Sequence, residues 1–117
     1  MVTIQVIGTT RFQAGVNGDL NNAQVALYLS VADWGNYNPI KYGPITESGA
    51  NVSFALTNVN LGNYYLDIWK DNDNNGFWST GDFVGTLNSG ALSAAGLVPF
   101  QIATGETKTF NIDMFIW

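Results

Sequence analysis

Hydrophobic and polar residues alternate with a period of two along much of the chain, as they do in strands that bury one face. The longest such segment places five apolar residues on one face: Ala23, Val25, Leu27, Leu29 and Val31. Three further segments alternate in the same way, with apolar positions at Val2, Ile4 and Val6, at Val52, Phe54 and Leu56, and at Phe110, Ile112, Met114 and Ile116. The pattern predicts a protein built from half-buried strands.

Clusters of Gly, Asn and Pro separate these segments, at residues 15–18, 35–39, 60–63 and 88–90 among others. Short strands divided by such turn signals are typical of an antiparallel β-sandwich. The one stretch compatible with a helix, Ser89–Gly96, is short and flanked by glycine. We therefore expect an all-β fold in a single domain that spans residues 1–117.

Composition narrows the classes of partner. The chain has 117 residues, four Lys+Arg against nine Asp+Glu, and a net charge of −5. Such a surface repels phosphate, so we expect no nucleic-acid partner and no attraction to anionic membranes. No apolar run is long enough to insert into a bilayer. The chain has no cysteine, which excludes disulfides and thiolate metal sites.

The segment 71–82 concentrates oxygen donors at the spacing of a calcium loop. It reads D-x-D-x-N-G-x-x-x-x-G-D. Calcium takes six to eight oxygen ligands, and a twelve-residue loop supplies them from positions 1, 3, 5, 7 and 12. Here those positions are Asp71, Asp73, Asn75, the backbone carbonyl of Phe77, and Asp82. Gly76 stands at position 6, where the loop must turn sharply, and Ser79 at position 9 can act directly or through water.

A polar hairpin turn is the alternative interpretation, because Asp, Asn and Gly are also the usual turn residues. Three carboxylates so close together repel one another without a cation, which favours the metal site. The flanking segments are strands, so this is not a helix–loop–helix hand. The last ligand is Asp rather than Glu, and its shorter arm favours binding through one oxygen or a smaller ion such as Mg²⁺.

The middle of the chain resembles the carboxypeptidase regulatory-like (transthyretin-like) domains. The resemblance lies in the run Val52–Asp71, with Asn58-Val59, Gly62 and Tyr64-Tyr65, and in Trp69–Asp82, which is similar to the acidic loop of an extracellular bacterial and archaeal subgroup. The opening around Gly8 and Ala23–Leu29 and the close at Ile102–Met114 also look like that family.

The resemblance implies a Greek-key sandwich of seven to eight strands, Ig-like or transthyretin-like, in a secreted or surface protein. It also implies a non-catalytic role beside other modules, with calcium as the bound ion. Two features depart from the family pattern. Ser79 replaces a common Asp, which removes one charge from the loop, and the segment Ala32–Pro44 is longer than usual.

Catalysis finds little support in the sequence. The absence of His and Cys removes two common nucleophile–base arrangements. The carboxylates outside the loop show no pairing in their spacing, and we expect them to be solvated on the surface: Asp19, Asp33, Glu47, Asp67, Glu106 and Asp113. The expected function is a non-enzymatic, extracellular or cell-surface, calcium-binding structural or interaction module.

Two alternative functions remain open. One is a carbohydrate-binding module, because the segment 33–44 carries Trp34, Tyr37 and Tyr42 among amide side chains, although these rings can instead pack on the end of the sandwich. The other is a self-assembling subunit of a filament or surface layer. If Ile116 points inward, Phe115 and Trp117 lie on the outer face of the last strand, where a second subunit could cover them near Val2–Val6.

Overall fold

The protein is an all-β sandwich of eight strands, with a single short helix among the residues that the structure describes. A computed structural model describes residues 3–12, 18–77, 79–86, 99–103 and 107–116. The elements are β1 (Thr3–Phe12), β2 (Gln24–Tyr28), α1 (Val31–Gly35), β3 (Lys41–Pro44), β4 (Val52–Asn60), β5 (Gly62–Lys70), β6 (Phe83–Thr86), β7 (Phe100–Ile102) and β8 (Lys108–Ile116). Within those ranges no helix has the length and hydropathy needed to cross a membrane.

The strands follow one hydrogen-bonded path in the order β3-β2-β5-β6-β8-β1-β4, and β7 pairs with the start of β5. One layer contains β1, β4 and β8, and the other contains β2, β3, β5 and β6. The pairing of β6 with β8 joins the two layers along one side. All strand pairs are antiparallel except β1 with β8, which is parallel. The predicted antiparallel sandwich is confirmed, and the pairing of β1 with β8 is a parallel exception among the described strands.

The core lies between the layers and consists mainly of branched aliphatic side chains. Along β4, Val52, Phe54 and Leu56 are buried while the residues between them are exposed, which confirms the predicted alternation. On β8, Ile112 and Met114 are both 0% exposed. Ile116, however, is 53% exposed, so its predicted inward orientation is wrong. Only two residue pairs at the end of β8 continue the sheet against β6.

The strand predicted across residues 23–31 ends earlier than its pattern suggests. Leu29 is 56% exposed, and Val31 begins α1. The Ser30 hydroxyl accepts a hydrogen bond from the Asp33 backbone N–H at 3.0 Å, and this N-cap starts the helix. Both faces of β2 are buried, so the strand is not half-exposed as predicted. The predicted helix-compatible stretch Ser89–Gly96 and the side chains of Val2, Ile4 and Val6 lie outside the described residues.

The helix explains why β2 buries its second face. Trp34 of α1 packs with Ala26 and Tyr28 in a small cluster on the outside of the sheet, and Val31 and Tyr65 complete that cluster. The segment after β2 thus folds back over its own layer. This segment reaches the loop between β5 and β6, which contains the acidic sequence described above.

Candidate metal centre

The ends of β5 and β6 bring the first and last residues of the acidic loop together. Lys70 and Phe83 are directly paired across the two strands. Asp71 follows Lys70 and Asp82 precedes Phe83, so the twelve residues between the strands form a closed loop. Spacing in the sequence alone predicted this closure, and the register of the hairpin positions both carboxylates at its base.

Three carboxylates converge in this loop. Asp71, Asp73 and Asp82 each offer an oxygen atom, and these atoms lie within 4.8 Å of one another. Two oxygens that each lie about 2.3–2.6 Å from one calcium ion can be at most about 5.2 Å apart. The three atoms are therefore close enough to share one ion. Asp73 is exposed, Asp71 is half-buried and Asp82 is 0% exposed, so exposure to solvent differs among the three proposed ligands.

Backbone N–H groups fix the orientation of Asp71. Its Oδ2 accepts from the Gly76 N–H at 2.8 Å and its Oδ1 from the Asn75 N–H at 3.3 Å. The Asn75 side-chain oxygen in turn accepts from the Phe77 N–H at 2.9 Å. These bonds require the chain to curl around the carboxylate, and the curl uses the left-handed region at Asn74 (φ 54°) and Gly76 (φ 80°). A sharp turn at Gly76 was expected from its position in the loop for the same reason.

Asp82 is the most firmly held of the three. The Trp69 indole Nε1–H donates to its Oδ2 at 3.0 Å, and the Ser79 backbone N–H donates to the same atom at 3.0 Å. The Asn72 backbone N–H donates to its Oδ1 at 3.1 Å. A buried carboxylate needs such donors in place of the water that burial removes. The indole of Trp69 is a functional group that inspection of the loop alone did not identify, because it belongs to the strand before the loop.

Ser79 lies among the carboxylates, in agreement with its predicted place at position 9. Its hydroxyl donates to Asp73 Oδ2 at 2.7 Å, and its Oγ accepts from the Asn75 side-chain amide at 3.2 Å. The pKa of Asp73 lies below its usual value, chiefly because of this hydroxyl, with smaller effects from Asp71 and the Asn75 N–H. Asp73 is thus ionised over a wide pH range, as a cation ligand must be.

The predicted role of the Phe77 carbonyl stays a prediction, since no donor or cation contact to that atom is described. The Phe77 ring is 63% exposed and meets the Tyr37 ring edge-on, with centroids 6.1 Å apart. Tyr37 also contacts the Trp69 ring at 5.8 Å. The segment after α1 therefore packs on the acidic loop. Tyr37 and Trp69 are more than thirty residues apart in the sequence, so their spacing did not predict this contact.

The aromatic residues proposed as a ligand surface differ in their exposure. Trp34 is only 6% exposed, which contradicts its expected place on a binding surface. It packs with Ala26 and Tyr28, and its indole Nε1–H donates to the carboxylate of Asp67 over 3.1 Å. Tyr37 and Tyr42 are 37% and 64% exposed. Packing of the loop's own aromatics on the sandwich therefore accounts for Trp34 and for part of Tyr37.

The terminal aromatics proposed for assembly cannot be placed from the structure. Trp117 and the side chain of Phe115 lie outside the described residues. The exposed Ile116 removes the argument that placed both rings on the outer face, because that argument assumed an inward Ile116. A role for Phe115 and Trp117 in subunit contacts stays a prediction.

Asp67 was expected on the surface, and this expectation is wrong. The residue is 2% exposed, on the outer face of β5 beneath α1. The Tyr28 hydroxyl lies 3.3 Å from both of its oxygens, and the Trp34 indole donates to one of them. Burial raises the pKa of Asp67 to about 7, although these hydrogen bonds act in the opposite direction. Its position between Leu66 and Ile68 in the sequence did not indicate burial, because no helix was expected to cover that face of the strand.

Comparison with known proteins adds no relative: no family model, no curated protein and no solved structure matches the chain. The resemblance to carboxypeptidase regulatory-like domains therefore stays an expectation that rests on the residues quoted for it.

Proposed function

We propose that this protein is a non-catalytic, extracellular module whose acidic loop binds one calcium ion, and that the ion stabilises the fold. The proposed ligands are the carboxylates of Asp71, Asp73 and Asp82, the side chain of Asn75 and the carbonyl of Phe77, with Ser79 binding directly or through water. The convergence of three carboxylate oxygens within 4.8 Å of one another carries this proposal.

Electrostatics explains why a cation would stabilise the fold. Three carboxylates at this distance repel one another, and the repulsion opposes closure of the loop. A divalent ion replaces that repulsion with attraction at the base of the β5–β6 hairpin. Since the ion needs the folded loop, it binds the native state and shifts the folding equilibrium by mass action.

The proposed extracellular location and the proposed lack of catalysis rest on the chemistry of the residues and not on similarity to a known protein. A loop with three carboxylates and a serine at position 9 suits the weak range of extracellular calcium modules, about 10⁻⁴–10⁻³ M. The chain has neither His nor Cys. Asp67, whose pKa is raised to about 7, is enclosed by Tyr28 and Trp34 and is 2% exposed, so no substrate can reach it.

Thermal unfolding in calcium and in EDTA tests the proposal. With calcium at about 100 times Kd, the ion adds about 2.7 kcal/mol to the free energy of unfolding. For a domain of this size we expect the melting temperature to rise by roughly 8–15 °C. Asp73→Asn should abolish most of that rise, because it removes one exposed, charged carboxylate from the proposed ligands.

Glu47→Gln is the matched control, since it removes the same charge from an exposed position outside the loop. It should leave the calcium-dependent rise unchanged. Identical melting curves for the wild-type protein in calcium and in EDTA would refute the proposal, as would an equal loss of the rise in both variants.

A further inference from the structure

Two side chains on the outer face of β5 are contacted by the same short segment of the chain. Ile68 points into the core and is 0% exposed, and side chains alternate along a strand, so Asp67 and Trp69 lie on the opposite face. Trp34 of α1 donates to Asp67 on that face. The turn that follows α1 places the Tyr37 ring against the Trp69 ring, with centroids 5.8 Å apart. This segment thus lies across the strand that leads into the acidic loop.

Tyr37 has a backbone conformation that its residue type rarely adopts. Its φ is 55°, in the left-handed region, and the other described non-glycine residues with a positive φ are all asparagines: Asn22, Asn58 and Asn74. Asparagine tolerates this region, whereas a bulky side chain there is unusual. The residue just after a helix often adopts this conformation, and it is then usually Gly. The turn by itself therefore favours Gly or Asn, and its backbone does not account for a tyrosine.

Hydrogen bonds on both sides of Tyr37 hold the turn in this conformation. The Tyr37 N–H donates to the Trp34 carbonyl at 3.3 Å, and the Asn38 N–H donates to the Asp33 carbonyl at 2.9 Å. The Asn38 side-chain amide also donates to the Asp33 carboxylate at 3.3 Å. The Tyr37 ring therefore extends from a turn that is fixed to α1 before and after it.

The Tyr37 ring contacts both the strand before the acidic loop and the middle of that loop. It meets the Trp69 ring at an angle of 38° and the Phe77 ring edge-on at 73°, with centroids 5.8 Å and 6.1 Å apart. Both distances lie in the range of favourable aromatic pairs. The Trp69 indole in turn donates to Asp82 Oδ2 at 3.0 Å, and Asp82 is 0% exposed. A contact that restricts rotation of the indole therefore also fixes a donor to the buried carboxylate.

We propose that Tyr37 is a positioning residue of the acidic loop: its ring holds the Trp69 indole in the orientation that donates to Asp82, and this raises the affinity of the loop for calcium. The inference rests on the proposed function, in which Asp82 is a ligand. Groups that orient metal ligands contribute to affinity although they do not touch the ion. The role also accounts for a tyrosine at a left-handed position, because Gly or Asn there could not make the ring contacts.

Calcium titrations of the whole chain and of folded variants test this role. Tyr37→Asn removes the ring and suits the left-handed backbone, so the fold is kept while calcium affinity should fall by about three- to tenfold. The assigned Trp69 Nε1–H resonance of this variant should also shift in EDTA, before any ion is added. Tyr37→Phe keeps the ring and should match the wild type in both measurements. Tyr42→Asn is the matched control, because it makes the same change at a tyrosine of β3 that is 64% exposed, and it should leave both unchanged.

A double-mutant cycle shows whether Tyr37 acts through Trp69. Trp69→Phe removes the indole donor and should weaken calcium binding by about tenfold or more. In that background Tyr37→Asn should have little further effect, because the donor that it positions is already absent. An equal loss in both backgrounds, or a Tyr37→Asn variant with wild-type affinity or an unshifted Trp69 resonance, would overturn the proposal. A wild-type protein that binds no calcium would refute the proposed function and this inference with it, whereas calcium binding that Tyr37→Asn leaves unchanged refutes this inference alone.

Discussion

Two aspartates show how position alone separates the properties of one residue type. Asp73 is exposed, and hydrogen bonds from Ser79 and the backbone hold its pKa below the usual value. Asp67 is enclosed, and burial raises its pKa to about 7 despite donors from Tyr28 and Trp34. The first carboxylate is suited to bind a cation over a wide pH range. The second makes the packing of α1 on the sheet sensitive to pH.

The raised pKa of Asp67 predicts a stability change near neutral pH. Between about pH 4 and pH 7 the folded protein holds a proton on this group that the unfolded chain has lost. The stabilising contribution is therefore complete below the unfolded pKa and is lost as pH rises through about 7. Its full size is at most about 4 kcal/mol, from a shift of roughly three pH units.

Asp67→Asn removes the titrating group and keeps an oxygen that can accept from the Trp34 indole. In EDTA, the difference in free energy of unfolding between this variant and the wild type should grow in favour of the variant from pH 4 to pH 7.5. Denaturant unfolding at a series of pH values measures it. A difference that is constant with pH would contradict the assignment of a raised pKa to Asp67.

At the scale of elements, alternation predicted the strands that have one solvent face. It succeeded for β4, whose outward side chains are polar or small, and for the inward residues Ile112 and Met114 of β8. It failed for β2, because a helix covers its outer face and burial on both sides removes the polar signal. The helix itself has five residues and depends on the Ser30 cap and on tertiary packing, which a periodic pattern does not contain.

Two glycines, one in the acidic loop and one in α1, predict opposite effects of the same substitution. Gly76 has a φ of 80°, where an L side chain is strained, although a methyl group there would meet no neighbour. Gly35 lies in α1, where a methyl group would also meet nothing within 4 Å. Gly76→Ala should lower the free energy of unfolding by about 1 kcal/mol, and Gly35→Ala should raise it by up to about 1 kcal/mol.

Chemical denaturation of both variants measures this contrast. Gly76→Ala should also weaken calcium binding, because strain at this φ would displace the backbone N–H that orients Asp71. Gly35→Ala should leave calcium binding unchanged. Equal effects of the two substitutions on stability would show that the turn at Gly76 is not under conformational constraint.

At the scale of the whole molecule, the proposed site has a defined place in the sandwich. The acidic loop extends from β5 and β6, next to the side where the two layers join through β8.

The sequence was sufficient for the fold class and for the residues that converge in the loop, because both depend on local spacing. It was insufficient wherever distant segments meet. The packing of Tyr37 on Trp69, the burial of Trp34 over Asp67 and the parallel pairing of β1 with β8 each join residues that are thirty or more positions apart. None of these contacts produces a periodic pattern of hydrophobic and polar residues in the sequence.

A calcium titration followed by the backbone amide resonances of the whole protein tests the central proposal most directly. The amides of Asn75, Gly76 and Ser79 donate to the proposed ligands, so they report on the site itself. We predict saturable shifts at these amides with a Kd of about 10⁻⁴–10⁻³ M and little change at β4. Amides in the loop that do not move up to about 10 mM calcium, well above that range, would contradict the proposed site.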